Sequence, residues 1–222
     1  MVNLKDLSPE ELARQFRSPD GEVGIAVADY MNGLNRSVTE AAYRRLGLSG
    51  MHHVLEIGYG NGGLVPLLMS LAQDIRYSGV DVSPTMVGEA LAANRALVES
   101  GRADFQLASV DSLPFGDAVF DRVIGINTLY FWADIPLAFG EIRRVLKPDG
   151  LVLLACITPE TAVTLPTMKK ELGVNIYSVA EIVQFHREGG LQNATTEIHS
   201  EVARRFDGTL FTRDYIFSIA SR

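Results

Sequence analysis

The stretch Val54–Leu64, VLEIGYGNGGL, decides how this chain is read. It begins as a short apolar strand, VLEIG, and passes through glycines at 58, 60, 62 and 63 into an apolar helical pattern over Leu64–Ala72. Glycines are needed where a tight turn brings bare backbone against a ligand. A literal G-x-G-x-x-G is present at Gly58, Gly60 and Gly63, and Asp81 follows about 20 residues on, as in dinucleotide-binding folds. The loop alone therefore does not name its cofactor, and a glycine-rich turn with no ligand is the plainer alternative. Glu56 lies two residues before the first glycine, inside an otherwise apolar strand. A buried carboxylate is costly unless paired, so Glu56 is expected to organise the loop or to meet a cationic ligand.

Outward from this loop, strands and helices alternate. YSGVDVS reads as a second strand, closed by Ser83-Pro84, which opens a helix towards Ser100. ADFQLAS and DRVIGIN read as a third and a fourth strand, Asp134–Leu146 as a helix with Leu137, Ile142, Val145 and Leu146 on one side. Lys147-Pro148-Asp149-Gly150 is expected to turn the chain into a fifth strand, LVLLACI. Such alternation implies right-handed crossovers and a parallel sheet buried on both faces. The last part differs. About Gln192–Ser200 and Leu210–Ala220 read as two strands joined near Asp207-Gly208, an antiparallel hairpin at the sheet edge.

Residues 1 to about 50 read as helical. Ser8-Pro9-Glu10-Glu11 is an N-cap, a first-turn proline and a Glu three residues after the cap. A loop with Ser18, Pro19, Asp20 and Gly21 precedes a longer helical pattern over about Val23–Leu46, interrupted near Asn32-Gly33. The expected division is a helical cap or lid over 1–49 and an α/β domain over 50–222.

The 222 residues are 47% hydrophobic and 21% charged, which suits one globular unit with a sizeable core. The formal charge of −7 disfavours a nucleic-acid partner, which calls for a basic surface. Cys156 is the single cysteine, in the apolar run LVLLACI, and His52, His53, His186 and His199 sit at no ligand spacing, so no metal is expected. His186, in the helix after the fifth strand, reads as a surface or core residue rather than a catalytic one. The N-terminal MVNLKDLSPEEL lacks the apolar core of a signal peptide, and no apolar run approaches the roughly 20 residues needed to cross a bilayer. The expected compartment is the cytoplasm, with no membrane insertion.

Four segments, in order and correctly spaced between about residues 52 and 157, resemble class I S-adenosylmethionine-dependent methyltransferases. VLEIGYGNGG is similar to that family's E/D-x-G-x-G-x-G motif, and GVDVSPTMV to its second-strand segment. LPFGDAVFDRVIGINTLYFW resembles the region around the fourth strand, and EIRRVLKPDG the helix and turn leading to the fifth. The nearest subgroup is the small-molecule enzymes related to ubiquinone/menaquinone C-methyltransferases. The N-terminal RQFRSPDGEVG and MNGLNR stretches resemble bacterial members of unassigned substrate. The resemblance implies a Rossmann-like, seven-stranded, mostly parallel sheet with an antiparallel C-terminal hairpin and an N-terminal helical cap.

It also implies roles. The backbone of Gly58, Tyr59 and Gly60 would face the methionyl part of S-adenosylmethionine, with Glu56 near its ammonium group. Asp81 would accept the ribose hydroxyls, with Val82 beside it, because an ionised carboxylate is an acceptor only. Met86 would lie on the adenine face, or else in the core of its own helix. The family's Asp four positions before LPF is here Ser109, so Asp111 or the backbone amide of Val110 is expected at the adenine edge. Asn127 closes the fourth strand, facing the ligand or merely capping the strand end.

Methyl transfer from a sulfonium is an in-line displacement in which the protein mainly positions the nucleophile and excludes water. Oxygen and carbon nucleophiles often need a base as well. Many relatives carry a histidine pair just after the fourth strand; this chain has Leu129-Tyr130-Phe131-Trp132. A tyrosine with a pKa of about 10 is a poor base at neutral pH, so no catalytic residue is assigned. Tyr130, Phe131 and Trp132 read as an aromatic wall for an apolar or aromatic small-molecule acceptor, or as ordinary core. Tyr30, Met31, Asn32, Asn35 and Arg36 are candidates for a lid over it. Two rival functions stay open: a nicotinamide-dependent oxidoreductase, from the literal glycine pattern, and a non-catalytic protein that binds S-adenosylmethionine.

Overall fold

The computed structural model describes residues 2–205 and 208–222, so Asp207 of the turn expected at Asp207-Gly208 lies outside the described residues. Two helices come first, α1 (Pro9–Arg17) and α2 (Gly21–Arg45). Ser8 Oγ caps α1 by accepting from the Glu11 amide at 3.1 Å. The expected interruption of α2 at Asn32-Gly33 does not occur: the helix is continuous over 25 residues. Gly33 makes no close contact that would require a glycine there. Its intrinsic cost, about 1 kcal/mol, is overridden by packing at the far end of the helix. There Val38, Ala42, Tyr43 and Leu46 are buried in the same core as Val54 and Leu55.

The chain then alternates: β1 (His53–Ile57), α3 (Val65–Met69), β2 (Arg76–Asp81), α4 (Pro84–Ala93), α5 (Arg95–Glu99), β3 (Ala103–Leu107) and β4 (Phe120–Ile126). After these come α6 (Ile135–Val145), β5 (Leu146–Ile157), α7 (Pro159–Ala162), α8 (Val179–Glu188), β6 (Gln192–Arg204) and β7 (Leu210–Ser221). The seven strands form one sheet in the order β3-β2-β1-β4-β5-β7-β6. β1 to β5 pair in parallel, whereas β7 is antiparallel to both β5 and β6. The α/β class, the mostly parallel seven-stranded sheet and the antiparallel C-terminal hairpin all match expectation.

Four local expectations are corrected. α3 stops at Met69 rather than Ala72, where Ser70 Oγ donates back to the Leu67 carbonyl at 2.7 Å. The helix predicted from Ser83 to Ser100 is split at Asn94, whose buried amide donates to the carbonyls of Gly62 and Ala90, both at 3.0 Å. Asn94 thereby ties the glycine loop to α4. Leu137 does not join the buried side of α6: it is 49% exposed, one turn from the Asp134 cap, while Ala138, Phe139, Ile142 and Val145 face inward. Finally, β5 begins at Leu146 and takes in Lys147-Pro148-Asp149-Gly150, because Leu146 already pairs with Phe120 before the ladder shifts register to Arg122 and Leu151.

Strand order reverses at β1. From β1 the chain moves outward through β2 and β3, then returns to β4 on the other side. The carboxyl ends of β1 and β4 thus diverge into loops on opposite sides, leaving a crevice of the kind where open α/β sheets bind ligands.

Candidate active site

The crevice is a cavity of about 630 Å³ at the carboxyl ends of the parallel strands. One end is floored by the glycine loop. Gly58 and Gly62 have φ of +74° and +70°, in the left-handed region that side chains disfavour. A Cβ on Gly58 would lie 2.3 Å from Thr128 Cγ2, and one on Gly62 would lie 2.8 Å from Ala90 Cβ. These glycines let the loop nest between β4 and α4 while its backbone faces the cavity.

Asp81 ends β2 and is 7% exposed. Its Oδ2 accepts from the Gly60 amide at 3.0 Å and its Oδ1 from the Ser83 amide at 2.9 Å. Burial still outweighs these bonds and pushes its pKa up to about 6. Val82, beside it, is half-exposed on the cavity wall.

Glu56 is buried, and its partners are tyrosines rather than a cation. The Tyr43 hydroxyl lies 3.0 and 2.9 Å from its two carboxylate oxygens, and the Tyr77 hydroxyl donates to Oε2 at 2.8 Å. Burial pushes the carboxyl up to about 7, the tyrosines oppose it, and the negative charge of Asp81 adds to it. Neither tyrosine was singled out in the sequence, since Tyr43 comes from α2 and Tyr77 from β2. The one signal was Glu56 itself, a carboxylate in an apolar strand that had to find partners.

Tyr59 contributes its ring as well as its backbone. The ring lies across Gly79, where a Cβ would come within 2.4 Å of it, and meets Phe105 edge-on at 5.1 Å. Its hydroxyl is buried without a hydrogen-bond partner. At the next loop, Ser109, Val110 and Asp111 all line the cavity. Ser109 Oγ stands 3.4 Å from Asp111 Oδ2, while Asp111 Oδ1 is buried and unpartnered. Met86 is fully buried in α4 and does not reach the cavity wall, so it sits in the core of its own helix.

Asn127 takes φ +58°, an uncommon conformation for a non-glycine residue. Its amide hydrogen-bonds the Ala155 carbonyl at 2.8 Å, and its Oδ1 accepts from the Tyr130 hydroxyl. Tyr130 in turn accepts from the Ile157 amide at 2.9 Å. Tyr130 and Trp132 are buried and Trp132 packs edge-on against Phe139 at 5.9 Å, yet both, with Phe131, line the cavity. Aromatic wall and core packing are the same residues here.

The opposite wall is α2, and it is fastened along its length. Asn61 donates to Asp29 at 2.8 Å and accepts from Asn32 at 2.7 Å. Tyr43 holds Glu56. Arg213 of β7, 4% exposed, donates to Asn35 at 3.1 Å, to the Leu34 carbonyl and to Glu201 of β6 at 2.7 Å. Tyr30 reaches the Arg204 carbonyl at 3.4 Å. Arg213, Glu201, Asn61 and Tyr215 went unrecognised in the sequence, because they come from the loop and the hairpin and meet only in space. His186 is buried against Ser218 at 2.7 Å and pushed down to about 4 by burial, away from the cavity.

Among the described residues no helix is long and apolar enough to cross a membrane. A family model described as a methyltransferase domain matches residues 55–154. An O-methyltransferase of Aspergillus sclerotiorum is 30% identical over 140 residues, covering 63% of this chain and 50% of that protein. The ubiquinone/menaquinone biosynthesis C-methyltransferase of Citrifermentans bemidjiense is 29% identical over 142 residues, covering 62% and 57%. The chain thus spans about half the length of these curated relatives. In fold it is similar to the geranyl diphosphate C-methyltransferase of Streptomyces coelicolor, solved with S-adenosyl-L-homocysteine: TM-score 0.67, 15% identity, covering 94% of this chain and 87% of that one. Motif order, fold and similarity agree in supporting a class I S-adenosylmethionine-dependent methyltransferase.

Proposed function

We propose that the protein transfers a methyl group from S-adenosylmethionine to a small apolar or aromatic acceptor. What carries this reading is one continuous cavity. A polar end is built on the glycine loop, Asp81 and Asp111, and an apolar end lies between α2 and Tyr130-Phe131-Trp132. The unmet polar atoms fit the cofactor. Asp81 keeps acceptor capacity for ribose hydroxyls, Asp111 Oδ1 is free for an adenine amino group, and Glu56 offers charge to an ammonium. Gly58, Tyr59, Gly60 and Val82 frame the methionyl and ribose parts, Ser109 and Val110 the adenine edge, and Asn127 the region of the sulfur.

The cofactor supplies the electrophile and its own leaving group. The chain's part is to bind, orient and exclude water. Tyr43 and Tyr77 hold Glu56 in place, and Asn61 fixes the loop to α2. The aromatic residues after β4 and the apolar face of α1 and α2 keep solvent from the acceptor. α1 and the first half of α2 act as the lid, with Tyr30 and Asn35 over the acceptor end.

Calorimetric titration with S-adenosylhomocysteine and with NADH tests the cofactor. The expected result is micromolar binding of the first and none of the second; binding of NADH alone overturns the proposal. Failure to consume S-adenosylmethionine across a broad acceptor panel, despite tight binding, would favour a non-catalytic binding protein instead.

A further inference from the structure

Tyr215 of β7 has a fully buried side chain, yet its hydroxyl has no hydrogen-bond partner. A buried, unmet hydroxyl is destabilising, so a native core seldom keeps one without a use. Tyr215 also forms part of the cavity wall, at the acceptor end. Its strand pairs there with β5, Tyr215 facing Ile157, so the ring stands beside the carboxyl ends of β4 and β5.

The polar groups around it are already engaged. Asn127 stands close enough to temper the effect of burial on the hydroxyl, but it lacks hydrogen-bond geometry to it, and its oxygen is taken by Tyr130. Tyr130 is held by Ile157. The Arg213 guanidinium, 5.2 Å from the Tyr215 ring, is directed to Glu201, Asn35 and Leu34. That leaves an unsatisfied polar hydrogen beside the apolar stretch of wall made by Phe131, Trp132, Leu165, Met168 and Phe211.

We propose that Tyr215 is the polar anchor of the acceptor subsite, donating a hydrogen bond to a hydroxyl or carbonyl oxygen on an otherwise apolar acceptor. The proposal rests on the methyl-transfer reading for the name of the subsite, and on the cavity geometry for the anchor itself. Burial raises the pKa of the phenol, so the group keeps its proton at neutral pH and remains a donor. An isolated donor in an apolar wall selects for an oxygen more sharply than it adds affinity, because an acceptor lacking that oxygen leaves the donor unmet. Tyr215 is thus a specificity-determining residue.

The test uses two probes of one shape, 2-naphthol and naphthalene, titrated into protein saturated with S-adenosylhomocysteine. The wild type is expected to bind 2-naphthol about 10-fold more tightly, the equivalent of one hydrogen bond. In Tyr215→Phe the two affinities converge to within about 2-fold. S-adenosylhomocysteine affinity is unchanged, and the thermal midpoint of the free protein is equal or higher. A merely structural hydroxyl gives the opposite pattern, a lowered midpoint with the probe preference intact. That pattern, equal binding of the two probes by the wild type, or binding of neither, overturns the proposal. Failure of S-adenosylhomocysteine to bind strikes the methyl-transfer reading instead; the same two probes on the free protein then still decide the anchor.

Discussion

The Tyr43 hydroxyl lies 2.9 Å from Oε2 of Glu56, so a helix outside the sheet supplies a partner for the one carboxylate inside β1. A second phenol, Tyr77, reaches the same oxygen. Because no cation among the described residues neutralises Glu56, its ionisation depends on two neutral donors working against burial. Removing one donor should move it further. In Tyr43→Phe the pKa of Glu56 is expected to rise above about 7, and S-adenosylhomocysteine affinity at neutral pH to fall about 10-fold, on the scale of a hydrogen bond to a charged group. Calorimetry at pH 6, 7 and 8 checks this: the loss should shrink at the highest pH.

Glu56 and Asp81 should contribute less stability as pH rises from about 4 to 7, the reverse of the usual carboxylate trend. His186, held down at about 4, contributes in the opposite sense over the same window. Glu56 and Asp81 have ordinary values of 4.5 and 3.8 and are raised to about 7 and about 6 by burial. Over that window these two carboxyls hold protons in the folded state that the unfolded state has released, so their contribution is fullest below the unfolded values and declines through the folded ones. For Glu56 alone the change is on the order of 3 kcal/mol. Thermal midpoints across this range should show the difference, wild type minus Glu56→Gln, falling as pH rises, which isolates Glu56 from His186.

Cofactor binding should run the other way. An ammonium group beside Glu56 favours the ionised carboxyl, so affinity is expected to increase through pH 6 to 7 and to release protons on binding. Titration of S-adenosylhomocysteine in buffers of differing ionisation heat reads that release directly; identical heats at pH 6.5 would falsify the placement of the ammonium.

Asp81→Ala is expected to weaken S-adenosylhomocysteine binding by roughly 1–3 kcal/mol, from lost charge-assisted hydrogen bonds and a Gly60 amide left unpaired. Asp81→Asn should lose less, since its oxygen still accepts from Gly60.

Truncation separates the cap's two halves. Deleting residues 1–45 removes Val38, Ala42 and Tyr43 from the core and is expected to unfold the protein. Deleting residues 1–18 removes only Leu7, Pro9, Leu12, Gln15, Phe16 and Arg17 of the cavity wall. The shorter deletion should abolish methyl transfer while leaving S-adenosylhomocysteine affinity within a few-fold; retained transfer would show that α1 is no lid.

Elements whose cause is local were legible from the sequence. Ser8, Ser83 and Asp134 each cap the helix they were expected to open. The strand, glycine loop and Asp81 were readable because steric needs and strand periodicity are written in neighbouring residues. Continuity of α2 across Asn32-Gly33, and the break at Asn94, were not. Asn32 is turned outward to Asn61 and Asn94 inward to Gly62, choices made by contacts about 30 residues away in the chain. The acceptor end was least legible, because Arg213 and Tyr215 reach the cavity only through the antiparallel pairing of the last strand.

Asn61 has a consequence for how binding feels thermodynamically. Its side-chain amide donates to Asp29 and accepts from Asn32 and from the Gly63 amide. The glycine loop and the cover above it are thus set in one geometry during folding rather than at the moment of encounter. A ligand that meets a finished socket loses little to ordering it, and whatever loosens α2 from above is felt at once in the floor below. Asn61→Ala should therefore do more to slow and weaken association than any contact it makes with ligand would warrant, since its work is finished before the ligand arrives.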